Sequence, residues 1–352
     1  MDGMKINRRN LLKVGGFAVA AGTIPAPRAA GRRFYAGSYT SSGGPGMLLG
    51  TADPVTGALT VQVRSAAIAD PSWLAVGPHA LYAISEANGT VSAVDPNTLA
   101  VRNTISTGSG PAHVAVHPGG AFLFTSLYDG GATVTHPIAG DGTVKARTDS
   151  RKQGSGSHAH EVVADPTGQY LLAMDLGRDS VFVYTLSGNR LVLSRQVTFP
   201  TGTGPRHLAW HPNGRYAYLA GENGNNVTVC SWQNGVLTAV RSLPASSAAV
   251  TNYPGEIVTS PDGRFVYVSN RGADTVGVFT VSTDGATLTP LAAPPCGGDW
   301  PRNLVLTPDA AWLYVANQNS GTITWLPVDP ATGIPGAVAG SLTVPGAAQI
   351  LF

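Results

Sequence analysis

The chain has 352 residues, of which 12% are charged, with 44 glycines and 26 prolines; it is long enough to bury a substantial core and too rich in turn formers to be helical. Its formal charge of +2 is set by the N-terminus, because residues 1–30 carry five Lys or Arg and one Asp, leaving 17 basic against 19 acidic residues, a net of −2, in the remainder. That balance has no electrostatic footprint for nucleic acid or an anionic membrane, so neither is expected as a partner.

The first element is an address rather than a fold. Asn7-Arg8-Arg9-Asn10-Leu11-Leu12-Lys13 precedes a mildly apolar run over residues 14–24 and then Pro25-Ala26-Pro27-Arg28. This resembles a twin-arginine export signal. Eleven apolar residues cannot span a bilayer, which weakens the reading as a membrane anchor. Residues 1–30 are therefore expected to be a signal peptide read by the twin-arginine export machinery. The resulting protein would be periplasmic or extracellular, with no stable membrane association after signal removal. Met4 could start the chain as well as Met1, and no clean small-x-small triplet marks the cleavage point.

Residues 33–40 (RFYAGSYT) read as a strand that lacks its expected predecessor. From there the chain is a tandem repeat. Aligned on one turn proline, the copies fall at Pro78, Pro118, Pro166, Pro212, Pro261 and Pro308, at intervals of 40, 48, 46, 49 and 47 residues. The copy GPRHLAWHPNGRYAYLAGENGNNVTV shows the unit most plainly. It reads as a strand, a Pro-Asn-Gly turn, a second strand, a polar loop and a third strand. A four-strand unit of 40–50 residues is the period of a β-propeller blade. At the C-terminus, residues 346–352 (GAAQILF) look like a first strand without its second. Joined to residues 33–40 they would complete a seventh blade and leave no open sheet edge. The expectation is one all-β domain over residues 31–352, a seven-bladed β-propeller whose ring is closed by strands from both termini.

Two columns of the repeat should share one mouth of the ring, since the start of each first strand and the loop after each second strand lie at the same end of an antiparallel sheet. Six residues before each turn proline stand Ser72, Ala112, His160, Arg206, Gly255 and Arg302. The loop column holds Glu86, Tyr128, Leu176, Glu222, Arg271 and Gln318. The opposite face receives only Pro-Asn-Gly-like turns. Polar side chains converging on one end of an axial channel make a concave ligand site.

GTGPRHLAWHPNGRYAYLAGENGNNVTV, HAHEVVADPTGQYLLAMDLGRDSVFVY and SPDGRFVYVSNRGADTVGVF together resemble the seven-bladed lactonase family, over nearly all of the chain after residue 31. That family contains the propeller-type 6-phosphogluconolactonase and the fungal carboxy-muconate cyclase. The resemblance implies an active site of one His, two Arg and one Glu, which fall here on His160, Arg206, Glu222 and Arg271. Arg302, Glu86 and Gln318 are candidate substrate contacts. Residues 301–303 (Pro-Arg-Asn) depart from the family pattern, which commonly has an acidic residue after the Arg.

The chemistry expected is hydrolysis, or formation, of a sugar-acid or carboxylated lactone. His160, titrating near neutrality, would be general base. Arg206 and Arg271 would stabilise the oxyanion or hold a carboxylate, and Glu222 would orient His160 or Arg206, or serve as base. No cofactor and no metal are expected; the ligand is a small anionic lactone or aldonate, and the protein a monomer. A second reading is a non-catalytic propeller that binds an anionic ligand or a protein partner, because fold does not fix function. The bland alternatives are that His160 satisfies a strand end, that the arginines brace blades, and that Glu86 is structural. His113, His117, His207 and His211 read as packing between blades, Asp175 and Asp179 as loop anchors. Cys230 is expected to be a buried free thiol; a bridge to Cys296 stays open.

Overall fold

The computed structural model describes residues 31–352, and in it each repeat becomes a four-stranded antiparallel sheet. The reason is local. Apolar β-branched and aromatic residues alternate along short runs, and each run stops at a turn that only certain residues can make. In the unit over residues 205–244, Gly214 closes the Pro212-Asn213-Gly214 turn at φ 67°, and its N–H donates to the His211 carbonyl at 2.9 Å. Only glycine adopts that left-handed conformation without steric cost.

Seven such sheets form the ring. Six are built from consecutive strands, with innermost strands Leu74–Val76, Pro111–Val116, Ala159–Ala164, Pro205–Trp210, Tyr253–Thr259 and Pro301–Leu306. The seventh takes its innermost strand, Ala347–Leu351, from the C-terminus and its other three, Arg32–Ser38, Met47–Ala52 and Leu59–Ser65, from the N-terminal side. The two termini thus close the ring as expected, with Ala36 opposite Ile350 and Gly37 opposite Gln349. The signal-peptide reading falls on residues 1–30, outside the described residues.

The core lies between the blades. Seven apolar clusters each combine residues of two neighbouring sheets; one joins Phe34 and Leu48 to Tyr314 and Trp325, another joins Tyr218 and Val229 to Val266 and Phe279. A recurring hydrogen bond reinforces the joints. The buried hydroxyls of Tyr82, Tyr218, Tyr267 and Tyr314 donate to the carbonyls of Gly142, Gly285, Gly333 and Gly57, each in a turn of the next blade. Each such bond contributes on the order of 1 kcal/mol. Both thiols, Cys230 and Cys296, are buried and unbridged.

Candidate active site

Along a regular strand, successive side chains point to opposite faces, so a single strand should offer the channel only alternate residues. The inner strands depart from that rule at one repeated position. Ala159 pairs with Asp175 and Glu161 with Met174, leaving His160 out of the ladder. The same skip leaves out Ala112, Arg206, Arg302 and Ala348, and in the fifth blade both Gly255 and Glu256. A β-bulge inserts one unpaired residue and re-aims its side chain. Two consecutive residues per blade therefore serve the channel, one ring at the mouth and one just beneath it.

The mouth is organised around Glu222. Its Oε2 lies 3.0 Å from Arg206 Nε and 2.8 Å from Arg271 Nη2. Arg206 is 1% exposed, and its Nη1 donates to the Gly255 carbonyl at 2.7 Å, tying the fourth blade to the fifth. Arg271 is held from its own blade, Nε donating to the Tyr253 carbonyl (2.9 Å) and Nη2 to that of Pro254 (3.1 Å). Its guanidinium lies 5.5 Å from the Trp300 ring. Burial, then the neighbouring Arg271 charge, lowers the Arg206 guanidinium to about 9, still protonated at neutral pH. Burial pulls the Glu222 carboxyl up, but Arg271 and Arg206 together outweigh it and hold the group below its ordinary range.

His160 sits beside this cluster, with its ring 6.0 Å from Tyr128 and 5.0 Å from His207. It does not titrate near neutrality, contrary to the sequence-based expectation. Burial first, then Arg206, His207, Arg302 and Arg271, push it well below the ordinary imidazole range. That shift favours the neutral imidazole, and among the described residues no carboxylate pairs with it; Glu222 is engaged by the two arginines instead. Arg302 completes the cationic group. Among the described residues its guanidinium donates no hydrogen bond, its Nε is buried and unpaired, and it lies 5.5 Å from the Tyr39 ring. Tyr39 in turn donates its hydroxyl to Glu86 at 2.9 Å, and burial first, with Glu86 adding, pushes the phenol up to about 12.

Five of the seven candidates, His160, Arg206, Glu222, Arg271 and Arg302, are therefore brought together, and Glu86 joins them through Tyr39. Gln318 stands apart: it lines a cleft of about 520 Å³ with Ser42, Asn319 and Thr343 between the sixth and seventh blades. Its side chain makes no hydrogen bond among the described residues. Leu176, Ala112 and Ser72 add no charge. Asp175 and Asp179 anchor loops, accepting from the N–H groups of His158 and Arg178 and of Gly202 and Gly204. Among the described residues no group of three His, Cys, Asp or Glu is arranged to hold a metal ion.

Sequence reasoning missed the ring beneath the mouth. It consists of Trp73, His113, Glu161, His207, Glu256, Asn303 and Gln349, one residue beyond the column it had chosen. Hydrogen bonds from this ring bridge five of the seven blade junctions: His207 Nδ1 to Glu256 Oε1 (2.8 Å), Asn303 Nδ2 to Glu256 Oε2 (2.8 Å), the Ile350 N–H to Asn303 Oδ1 (3.1 Å), the Leu74 N–H to Gln349 Oε1 (2.6 Å) and the Leu208 N–H to Glu161 Oε2 (2.7 Å). The histidines had been read as packing, which describes their contacts but not their place on the channel. Tyr39 was also missed: it follows the strand Arg32–Ser38 and is the loop-column position of the seventh blade, which has no turn-proline copy to mark it, whereas Trp300 lies two residues before Arg302, outside both columns.

The family described as "Lactonase, 7-bladed beta-propeller" matches residues 33–352. The 6-phosphogluconolactonase of Bacillus subtilis is 30% identical over 288 residues, covering 76% of this chain and 82% of that protein. Among solved structures, the periplasmic gluconolactonase of Pseudomonas aeruginosa superposes with a TM-score of 0.86 at 27% identity, over 91% of this chain and 98% of that one. A protein from Lactobacillus plantarum does so with a TM-score of 0.85 at 31% identity, over 91% and 99%.

Proposed function

The chain belongs to the seven-bladed β-propeller lactonase family, and from that membership we propose that it is an exported hydrolase of an unphosphorylated sugar-acid lactone. The observation that carries the reading is the mouth itself: three guanidiniums, Arg206, Arg271 and Arg302, beside one neutral histidine, with Glu222 shared between two of them. A structural brace engages its donors. Three carboxylates, Glu222, Glu86 and Glu256, act on the three guanidiniums, but among the described residues Arg302 donates a hydrogen bond to none of them, so its guanidinium is suited to an added anion.

In this reading a water attacks the lactone carbonyl while His160 takes its proton. Arg206 and Arg271, held side by side by Glu222, face the oxygen on which charge develops; such prearranged donors act in a water-poor site without reorganisation. Arg302 receives the carboxylate of the aldonate product, with Tyr39 and Glu86 as the opposite wall. The Bacillus subtilis relative is named for a phosphorylated gluconolactone, the Pseudomonas aeruginosa relative for a periplasmic activity. The twin-arginine-like residues 7–13 support the second kind of substrate, since a phosphorylated sugar lactone would arise in the cytosol. Closure of a hydroxy acid to its lactone with loss of water is the same chemistry run in reverse.

Purified residues 31–352 assayed against glucono-δ-lactone, its 6-phosphate and aromatic-acid lactones test the proposal. Turnover of the unphosphorylated sugar lactone is the expected result. No turnover above background on any of them would leave an anion-binding propeller without catalysis.

A further inference from the structure

We propose that His207 and Glu256, one layer beneath the mouth, form the proton store of this site, taking through a bridging water the proton that His160 cannot keep. The inference rests on the lactonase reading above and adds to it a second histidine acting through the first.

The geometry begins with tautomers. Glu256 is a carboxylate acceptor 2.8 Å from His207 Nδ1, so Nδ1 carries the hydrogen and Nε2 is the bare base. Glu256 is fixed in turn by the Ile257 N–H (3.0 Å) and by Asn303 Nδ2. His207 Nε2 is buried and has no partner among the described residues. His160 Nδ1 is in the same condition, on a ring 5.0 Å away, and so is His113 Nδ1, on a ring 5.7 Å from His207. Two rings that each carry a buried, unpaired nitrogen thus flank His207, whose own Nε2 is unpaired, and together they supply the two to four polar partners that a bridging water requires. With Nδ1–H of His160 turned to that water, its Nε2 is bare toward the substrate, as a general base must be.

Charge explains why a second acceptor is needed. The groups facing His160 are Arg206, Arg302, Arg271 and the neutral His207, with no carboxylate among them. The groups facing His207 are Glu256, Arg206, Arg302, His113 and His160, and Trp73 packs 5.0 Å from its ring. Burial disfavours the cation at all three histidines, but only His207 has a carboxylate in hydrogen-bond contact to favour it. His113 is 3.7 Å from Glu161, beyond hydrogen-bond contact, and burial, then Glu256, drive that carboxyl well above its ordinary range.

The proton path balances. As the attacking water's oxygen bonds to the carbonyl carbon, its proton goes to His160 Nε2, the Nδ1 proton passes to the bridging water, and one of that water's protons passes to His207 Nε2. The imidazolium then stands against the Glu256 carboxylate. Collapse of the tetrahedral intermediate breaks the ring C–O bond, and the departing alkoxide takes a proton back along the same path. Both histidines end neutral and a hydroxy acid is released.

The test combines a pH profile with a direct reading of tautomers. For hydrolysis of glucono-δ-lactone, kcat/KM should fall in acid as His207 protonates. Glu256→Gln should move that acid limb to lower pH and cut the plateau. His207→Asn should remove the limb and lower kcat by about 10²-fold, with KM changed by less than about threefold because neither residue touches substrate. Nitrogen-15 spectra of the histidine-labelled wild type should show His207 protonated at Nδ1 and bare at Nε2, which requires neither activity nor a folded variant. An active wild type with an Nε2–H tautomer at His207 overturns the proposal. So does a folded His207→Asn variant that keeps the wild-type limb and rate. A wild type inactive on every lactone but showing the expected tautomer would overturn the hydrolase reading instead, and with it the pair's catalytic use.

Discussion

Arg206 and Arg271, carried by neighbouring blades, meet on a single oxygen atom, Oε2 of Glu222, at 3.0 and 2.8 Å. One carboxylate thus holds apart two buried cations that would otherwise repel each other, and its removal has consequences for stability as well as rate.

Glu222→Gln should destabilise the fold by about 2–4 kcal/mol. Stripping a partner from a fully buried pair costs about 3–5 kcal/mol, and the 19% exposure of the Glu222 side chain reduces that. Sulfate or gluconate should restore part of the loss by standing in for the carboxylate. Denaturant melts with and without the anion measure both effects; a melt indifferent to anions would show that the arginines do not need Glu222's charge.

Arg302→Gln should weaken inhibition by gluconate at least tenfold while leaving the melting temperature within a few degrees, because the guanidinium surrenders no protein hydrogen bond. The wild-type inhibition should also weaken as salt rises, through screening. Unchanged product inhibition in the variant would remove Arg302 from the anion site.

His160→Ala and Val266→Ala separate chemistry from architecture. His160 makes no protein hydrogen bond that its loss would break, so His160→Ala should abolish turnover with little change in stability. Val266 is 0% exposed in the core between the fourth and fifth blades; its truncation should cost about 1–3 kcal/mol without selective harm to activity. Melting curves and rates on the two proteins decide it. Comparable unfolding in both would make the histidine structural.

The buried histidines also set a pH dependence of stability. His113, His160 and His207 have folded pKa values below their unfolded ones. The unfolded chain therefore binds more protons at these three sites, and their contribution is full above the ordinary imidazole pKa of about 6.5 and declines as pH falls below it, while Glu161, with its folded pKa raised, acts in the opposite sense. Glu222, with its folded pKa lowered, adds a second decline as pH falls below the ordinary carboxyl value of about 4.3. Melts between pH 8 and 4 should show loss beginning above pH 5; a flat profile down to pH 5 would contradict the buried, neutral state of the histidines.

Replacing Arg8 and Arg9 by lysine should leave the protein in the cytoplasm, still folded and active. Fractionation of cells expressing the two forms reads the outcome. Export that is indifferent to the pair would exclude a twin-arginine route.

The column six residues before each turn proline was legible because a repeat of fixed length returns the same position to the same place, blade after blade. Arg206 could be set beside Glu222 on antiparallel geometry alone. The neighbouring column, His207, Glu256 and Asn303, was just as visible as letters, but regular strand alternation offers the channel only one of two adjacent residues, and the histidines read as packing between blades. A bulge in six of the seven inner strands brings both columns to the channel, and a bulge is a backbone event with no distinctive residue to announce it. Gln318 holds the same repeat position in its blade, but it lines a cleft with Ser42 and Thr343 and makes no contact with the charged cluster among the described residues.

Repetition therefore let the sequence by itself determine the ring, its seven blades, its closure by the two termini and the end of the channel where charge collects, since each is a property of spacing. Three things were decided only by the tertiary structure: that both arginines share one carboxylate oxygen, that His160 is neutral with no acid beside it, and that Tyr39 from the closing blade faces Arg302. These depend on which side chains from different blades meet and on how much water is excluded where they meet. Burial and through-space charge are sums over neighbours distant in sequence, and no local pattern contains them.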